Sequence, residues 1–316
     1  MTKERLIRWA SYLIVAASFV FIALSIARMD FGPVEERIAA WWIPAAVGAS
    51  IFYSIANVIL ALNWCAGLWI ITGSKVPRVF EIILIYLKTG IAKYLPSNLV
   101  HFATRHYLVT RFDFSHRVML LANVFEIAFL SLTAFVVVSA GMFLGLLTIP
   151  PKIYAVITSW RMALLAAGGL IAAVVALWWF GPARIKEYFV ELVRVRKLPV
   201  YLLLFASYSI YFAVTAAILA FIFGPMLGVS RIASHISFVY VGYTLAWVTG
   251  YLVPGAPGGL GVREVVLLLV FSPQYGEATV MAAAVILRTV TVIGDVITFL
   301  YGIGYRMENP LSIDAE

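Results

Sequence analysis

The sequence predicts an all-α polytopic membrane protein, with about six full transmembrane helices and two re-entrant helical hairpins related as an inverted repeat. Of its 316 residues, 63% are hydrophobic and only 12% are charged, and the mean hydropathy is +1.00. A soluble globular domain needs more polar surface than this composition supplies. Several apolar stretches also reach the ~20 residues that a helix needs to cross a membrane. Two other apolar stretches are interrupted by Pro and Gly, which break a helix.

The six full spans are predicted from the length of uninterrupted apolar sequence. They cover residues 9–27, 44–72, 118–147, 162–180, 200–223 and 278–301. The first follows three basic residues and is longer than the ~7–15 residue core of a signal peptide, so we expect it to remain as a helix. The interrupted stretches are 79–108, which breaks at Pro96, and 235–271, which breaks after Pro254.

These segments are predicted to form one integral membrane domain over residues 1–316. Its expected parts are an N-terminal helix and outer loop (1–43), a first repeat (44–148) with the re-entrant hairpin 79–108, a connecting helix and basic cytoplasmic linker (149–199), a second repeat (200–305) with the re-entrant hairpin 235–271, and a cytoplasmic tail (306–316). Lys and Arg concentrate in the segments assigned to the cytoplasm, as the positive-inside rule requires. We therefore expect a multi-pass protein of the cytoplasmic (inner) membrane with both termini in the cytoplasm.

Charge and cysteine content exclude other classes of protein. The net charge of +8 is explained by basic cytoplasmic loops. No polar face is large enough to hold a duplex, so no nucleic-acid partner is expected. The single cysteine, Cys65, lies in an apolar stretch and excludes an intrachain disulfide.

The two interrupted stretches share a pattern. Arg105 follows Pro96 by nine residues, and Arg263 follows Pro254 by nine residues. Each break is preceded by apolar sequence and followed by a long span that carries buried charge. The distribution of Lys and Arg predicts that the two stretches enter the membrane from opposite sides. Opposite entry predicts an inverted repeat, which is the architecture of many secondary transporters.

The second break reads PGAPGGLGVRE and is the strongest candidate for a binding site. Its glycines, Gly258, Gly259 and Gly261, predict a turn with free backbone donors, followed by a half-helix that begins near Val262 and runs to about Phe271. A helix N-terminus attracts anions, most naturally phosphate. Arg263 adds a donor fork that suits phosphate, and Glu264 is placed to pair with Arg263, with Arg288 or with a cationic part of a substrate. The alternative is a turn that only lets helices pack closely, with an Arg–Glu pair holding it.

The first break carries a related set of polar residues. Ser97 and Asn98 are good N-caps for a half-helix that runs toward Leu108. Arg105 lies about two turns into that half-helix and is expected to face the same cavity. Lys93 precedes the break, where it either attracts an anionic headgroup or extends to the cytoplasmic surface.

Three more charged residues lie within the predicted spans, namely Glu126, Arg288 and Asp295. Charge is too costly to face lipid, so these side chains must point to the protein interior or to a wet cavity. In one interpretation they line a substrate path or carry coupling protons. In the other, Glu126 and Asp295 neutralise the buried arginines and hold the hairpins in place. No spacing typical of a metal site and no nucleotide-binding loop is present, so no metal or cofactor is expected.

Two segments resemble one family. PGGLGVRE at 257–264 and KYLPSNLVHFATRHYL at 93–108 resemble blocks of the lysylphosphatidylglycerol synthase transmembrane-region family, flippase-like integral membrane proteins. Arg288 and Asp295 are similar to a late Arg and acid of that family, whereas Ser97 stands where the family usually has Gly. The resemblance implies a stand-alone member, without a fused synthase or glycosyltransferase domain, that moves or handles lipids and works with a separate synthase or glycosyltransferase.

Together these features predict a lipid translocase, with no catalytic residue, that moves an anionic phospholipid or a polyprenyl-phosphate-linked lipid across the cytoplasmic membrane. The membrane lipid is the expected partner. Gly141 and Gly145 form a GxxxG motif, which is typical of helix packing and leaves a homo-oligomer open. The alternatives are an intramembrane transferase that acts on a lipid-linked donor, a secondary transporter of small anions, and a scaffold for a separate enzyme.

Overall fold

The computed structural model describes residues 42–95, 100–147, 197–252 and 257–304, and all regular structure in these ranges is helical. In chain order the α-helices are α1 (Trp42–Thr72), α2 (Val79–Thr89), α3 (Val100–Val109), α4 (His116–Phe143), α5 (Leu198–Leu227), α6 (Val229–Ser234), α7 (Ile236–Leu252), α8 (Val262–Tyr275) and α9 (Glu277–Gly304). Short 3-10 helices cover Gly90–Tyr94, Thr110–Phe112 and Pro257–Gly259.

Four predicted spans are confirmed as helices long and apolar enough to cross a membrane, namely α1, α4, α5 and α9. The spans predicted at 9–27 and 162–180 lie outside the described residues, as do the N-terminal helix and outer loop, most of the basic linker and the tail. The N-cap of α4 is Ser115, whose side chain accepts a hydrogen bond from the Val118 amide at 3.3 Å. Helix α5 continues four residues past its predicted end and contains Pro225.

Helix α9 is the central helix of the described bundle. Of its most apolar segment, 72% is buried, against 39% for α4, so α9 has protein on most sides. It packs against α1 and α2 through small residues. A Cβ on Gly294 would lie 2.8 Å from the Ser50 carbonyl oxygen, and one on Gly302 would lie 2.9 Å from that of Leu84. This close packing fixes the depth and rotation of the helix that carries Arg288 and Asp295.

The two GxxxG glycines, Gly141 within α4 and Gly145 after its end, have separate roles. Gly141 packs inside the chain, because a Cβ there would lie 2.5 Å from the Val241 side chain of α7. Gly145 lies beyond the end of α4 with φ +69°, and the Leu146 amide donates to the Gly141 carbonyl at 2.8 Å. A left-handed residue at this position ends a helix, which explains why α4 stops at Phe143. Gly141 therefore allows α4 to pack closely against α7 of the same chain.

The two interrupted stretches each contain two helices separated by a break. In the first stretch, α2 and the 3-10 helix Gly90–Tyr94 precede the break, and α3 follows it. In the second, α7 precedes the break and α8 follows it, beginning at Val262 as predicted and ending at Tyr275, four residues beyond the predicted end. The two breaks are neighbours in space, because the 3-10 helix of the first stretch contacts that of the second.

Candidate functional site

The second break is shaped by its glycines. Gly258 and Gly259 have φ values of +57° and +74°, a region that side chains with a Cβ rarely adopt. A Cβ on Gly259 would lie 3.1 Å from the Gly250 carbonyl oxygen of α7, and one on Gly258 would lie 2.8 Å from the Tyr94 ring. The turn is therefore pressed between α7 and the first break. This contact brings the two interrupted stretches together.

Glu264 caps the half-helix that follows the turn. Its Oε2 accepts a hydrogen bond from the Gly261 amide at 2.7 Å. This carboxylate satisfies a backbone donor at the start of α8 and lies at the positive end of the helix. The structure gives Glu264 this local role, in place of the ion pairs with Arg263 or Arg288 that the sequence suggested.

Asp295 is the centre of a buried hydrogen-bond network. It accepts hydrogen bonds from the Tyr94 hydroxyl at 2.6 Å and from the Asn57 side-chain amide at 3.2 Å. The Lys93 ammonium lies 2.9 Å from one carboxylate oxygen and 2.8 Å from the other. Lys93 thus points to the protein interior, not to the cytoplasmic surface. Side chains from α1, from the first break and from α9 are tied together at this carboxylate.

Arg105 and Glu126 form a buried ion pair between α3 and α4. Arg105 is 2% exposed and Glu126 is 3% exposed, and Nη1 of the arginine donates to Oε2 of the glutamate at 2.6 Å. The Tyr86 hydroxyl donates to the other oxygen of Glu126. The Tyr86 ring also lies 3.7 Å from the centre of the guanidinium, a cation–π contact. The pairing matches the predicted alternative in which Glu126 neutralises a buried arginine.

Arg288 and Arg263 lie beside the glycine turn. Arg288 donates from Nη1 to the Gly258 carbonyl at 2.8 Å and so fixes the turn. Arg263 is the second residue of α8, and its guanidinium lies 5.7 Å from the centre of the Trp247 ring. Among the described residues it has no acidic partner within ion-pair distance, and its buried Nε has no acceptor.

These groups surround one cavity of about 80 Å³. Its charged lining residues are four basic side chains, Lys93, Arg105, Arg263 and Arg288, and two acidic ones, Glu126 and Asp295. Gly258 and Gly259 also line it, so it takes in eight of the predicted site residues. Gly261 and Glu264 form the helix cap at the second break, and Ser97 and Asn98 lie outside the described residues. Within the described part of the chain, the cavity therefore has an excess of positive charge in an apolar bundle.

Sequence reasoning missed the aromatic and amide groups of this cavity. Six Tyr and Trp side chains line it, namely Tyr53, Tyr86, Tyr94, Tyr211, Trp247 and Tyr251. Asn57 and Tyr53 come from α1, which the sequence analysis treated as a plain span. A signal was present, because Ser50, Ser54 and Asn57 recur at helical spacing in an apolar segment and mark its buried face.

By the length and composition of its helices, the chain is a multi-pass membrane protein. No protein-family model, curated protein or solved structure matches it.

Proposed function

We propose that this protein is a lipid translocase that moves an anionic phospholipid or a polyprenyl-phosphate-linked lipid across the cytoplasmic membrane. The observation that carries the proposal is the cavity, where four basic side chains face two acidic ones inside an apolar bundle. Unbalanced positive charge in a low-dielectric interior is costly, and an anion that enters the cavity relieves that cost. The proposed ligand group is a phosphate, and the lipid tails remain in the membrane.

The start of α8 supports phosphate as the anion. The Glu264 carboxylate already accepts from the Gly261 amide at this N-terminus, so Arg263 is the group of the first turn that remains to meet a phosphate. Arg263 extends from the first turn of this helix, next to Gly258 and Gly259 in the cavity lining. An arginine guanidinium presents a planar set of donors that suits phosphate oxygens.

Helix lengths support the two re-entrant hairpins and the inverted repeat. The helices on either side of the breaks have 11, 10, 17 and 14 residues. At about 1.5 Å per residue each is shorter than the ~30 Å apolar layer of a bilayer. We infer that each pair enters and leaves on one side of the membrane, and that the two pairs enter from opposite sides, with both chain termini in the cytoplasm.

The resemblance to the lysylphosphatidylglycerol synthase transmembrane-region family supports the same activity, with a separate synthase or glycosyltransferase supplying or consuming the lipid. Its two blocks, at 93–108 and 257–264, include the basic residues of the cavity from both breaks. We propose that this protein moves lipid without chemically changing it.

Reconstitution into liposomes tests the proposal. The liposomes contain phospholipids labelled on an acyl chain, and a membrane-impermeant reductant quenches the label in the outer leaflet. The expected result is rapid loss of the protected inner-leaflet signal with wild-type protein and slow loss with Arg263→Gln. Arg231→Gln is the matched control, since Arg231 also lies over an aromatic ring, at 5.7 Å from Tyr275, but is exposed and away from the cavity. Folded wild-type protein that moves no anionic lipid would overturn the proposal.

A further inference from the structure

Resting on the proposed function, we infer that the cavity selects a phosphomonoester, a headgroup that ends at its phosphate, over zwitterionic or cationic headgroups. Four features of the cavity support this inference: its size, its excess of positive charge, the existing partners of its carboxylates and aromatic rings, and a hydrogen-bond donor that has no acceptor.

The size of the cavity limits how much of a headgroup it holds. The cavity is about 80 Å³, and a buried water needs ~10–15 Å³, so the space holds roughly five to eight water-sized groups. A phosphate group has about five heavy atoms and fits this space on the same scale. A phosphocholine or a phosphorylated sugar has roughly twice as many heavy atoms or more, so part of it would lie outside this space.

Charge distinguishes a phosphate monoester from a diester. Four basic side chains against two acidic ones leave an excess of two positive charges among the described lining residues. A phosphate monoester carries about −1.5 to −2 at neutral pH, whereas a phosphodiester carries about −1. The monoester therefore neutralises the cavity more completely.

A cationic headgroup has no vacant partner among the described lining residues. Both carboxylates are occupied, Glu126 by Arg105 and Tyr86, and Asp295 by three donors. Four of the six lining aromatic rings already lie within 6 Å of one of the chain's own cations, namely Tyr53, Tyr86, Tyr94 and Trp247. The remaining two, Tyr211 and Tyr251, pack against Trp247 at centroid distances of 5.8 and 4.9 Å. Quaternary ammonium groups need a free ring face or a free carboxylate.

An anionic ligand does find donors. The buried Nε of Arg263 has no hydrogen-bond acceptor in the described part of the chain. The Trp247 ring lies 5.7 Å from this guanidinium and does not neutralise its charge, so Arg263 remains attractive to an anion. Arginine presents a planar set of donors that matches phosphate oxygens.

Calorimetric titration tests the selectivity apart from transport. Short-chain lipids that share the same acyl groups, with phosphatidic acid, phosphatidylglycerol and phosphatidylcholine headgroups, are added to detergent-purified full-length protein. We expect phosphatidic acid to bind at least about tenfold more tightly than phosphatidylcholine, with phosphatidylglycerol between them. Arg263→Gln should remove most of this preference and Arg231→Gln should retain it. Equal binding of the three lipids, or tighter binding of phosphatidylcholine, would overturn the inference.

Competition identifies the source of the phosphate. Inorganic phosphate that displaces phosphatidic acid equally well points to a free anion, whereas displacement only by a polyprenyl monophosphate or by phosphatidic acid itself points to a lipid. The outcomes also separate the two proposals. Selective binding with no movement of lipid in liposomes refutes the translocase and retains the headgroup preference. Movement of all lipids at one rate retains the translocase and refutes the headgroup preference.

Discussion

Arg105 and Arg263 occupy matching places in the sequence, nine residues after the proline of each break, yet the structure gives them different surroundings. Arg105 is almost fully buried and donates to Glu126 at 2.6 Å, with Tyr86 against its face. Arg263 is only half-buried, lies over Trp247, and has no acidic partner within ion-pair distance among the described residues. One arginine is held by the fold, and the other remains available to an anion.

The difference comes from the helices that follow each break. Helix α4 supplies Glu126 to the arginine of its own half, whereas the acid of α9, Asp295, is engaged by Lys93 and Tyr94 of the opposite half. Lys93, next to the first break, therefore pairs with Asp295 of the second half. Arg263 is left without an acidic partner within ion-pair distance among the described residues. Equivalent sequence patterns can thus produce one structural and one binding arginine.

The largest expected effect follows from removal of the charge of Glu126. Glu126→Gln leaves Arg105 as an uncompensated buried cation, so we expect the free energy of unfolding to fall by about 3–5 kcal/mol. Denaturant unfolding in detergent micelles measures this change. The double variant Glu126→Gln with Arg105→Gln is the control and should recover most of the loss, because no buried charge remains. A Glu126→Gln protein as stable as wild type would mean that Arg105 is not held by this pair.

A smaller effect is expected at the glycine turn. Gly259→Ala places a Cβ at φ +74° and 3.1 Å from the Gly250 carbonyl oxygen. The left-handed conformation alone costs about 1–2 kcal/mol, and the contact adds to it, so the variant should lose at least that much stability. Gly90→Ala is the control: Gly90 has φ −56°, and a Cβ there meets nothing within 4 Å. Equal stability of the two variants would show that the turn is free to move away from α7.

Arg263 should matter for binding and little for folding, in contrast to Arg105. Because it has no ion-pair partner in the described structure, Arg263→Gln should change the free energy of unfolding by less than about 1 kcal/mol. Its loss should weaken the binding of short-chain phosphatidic acid at least tenfold, which corresponds to about 1.4 kcal/mol. Unfolding and calorimetric titration on the same preparation measure both. A large loss of stability with unchanged affinity would reverse the roles assigned to the two arginines.

Sequence reasoning identified the described spans and all six charged residues of the cavity lining, because apolar length and buried charge are local signals. The start of α8 at Val262 was predictable for the same reason, since glycines and prolines directly precede it. The partners of each charge were not predictable. The contact of Lys93 with Asp295 joins residues 202 positions apart, and only the packing of α9 on α1 and α2 decides it. The role of Glu264 was also missed, because a helix cap and an ion pair use the same residue type at the same position.

The smallest expected effect tests that role of Glu264. Its carboxylate accepts from the Gly261 amide at 2.7 Å, and loss of such a cap costs about 0.5–2 kcal/mol. Glu264→Ala should therefore lower the free energy of unfolding by about 1 kcal/mol, and Glu264→Gln, which retains an oxygen acceptor, should lower it by less. Neither should abolish lipid movement in liposomes, because Glu264 is not among the residues that line the cavity. Loss of lipid movement in Glu264→Gln with full stability would place this carboxylate with Arg263 as a functional group. The second break would then contribute a carboxylate as well as a guanidinium to the transport step.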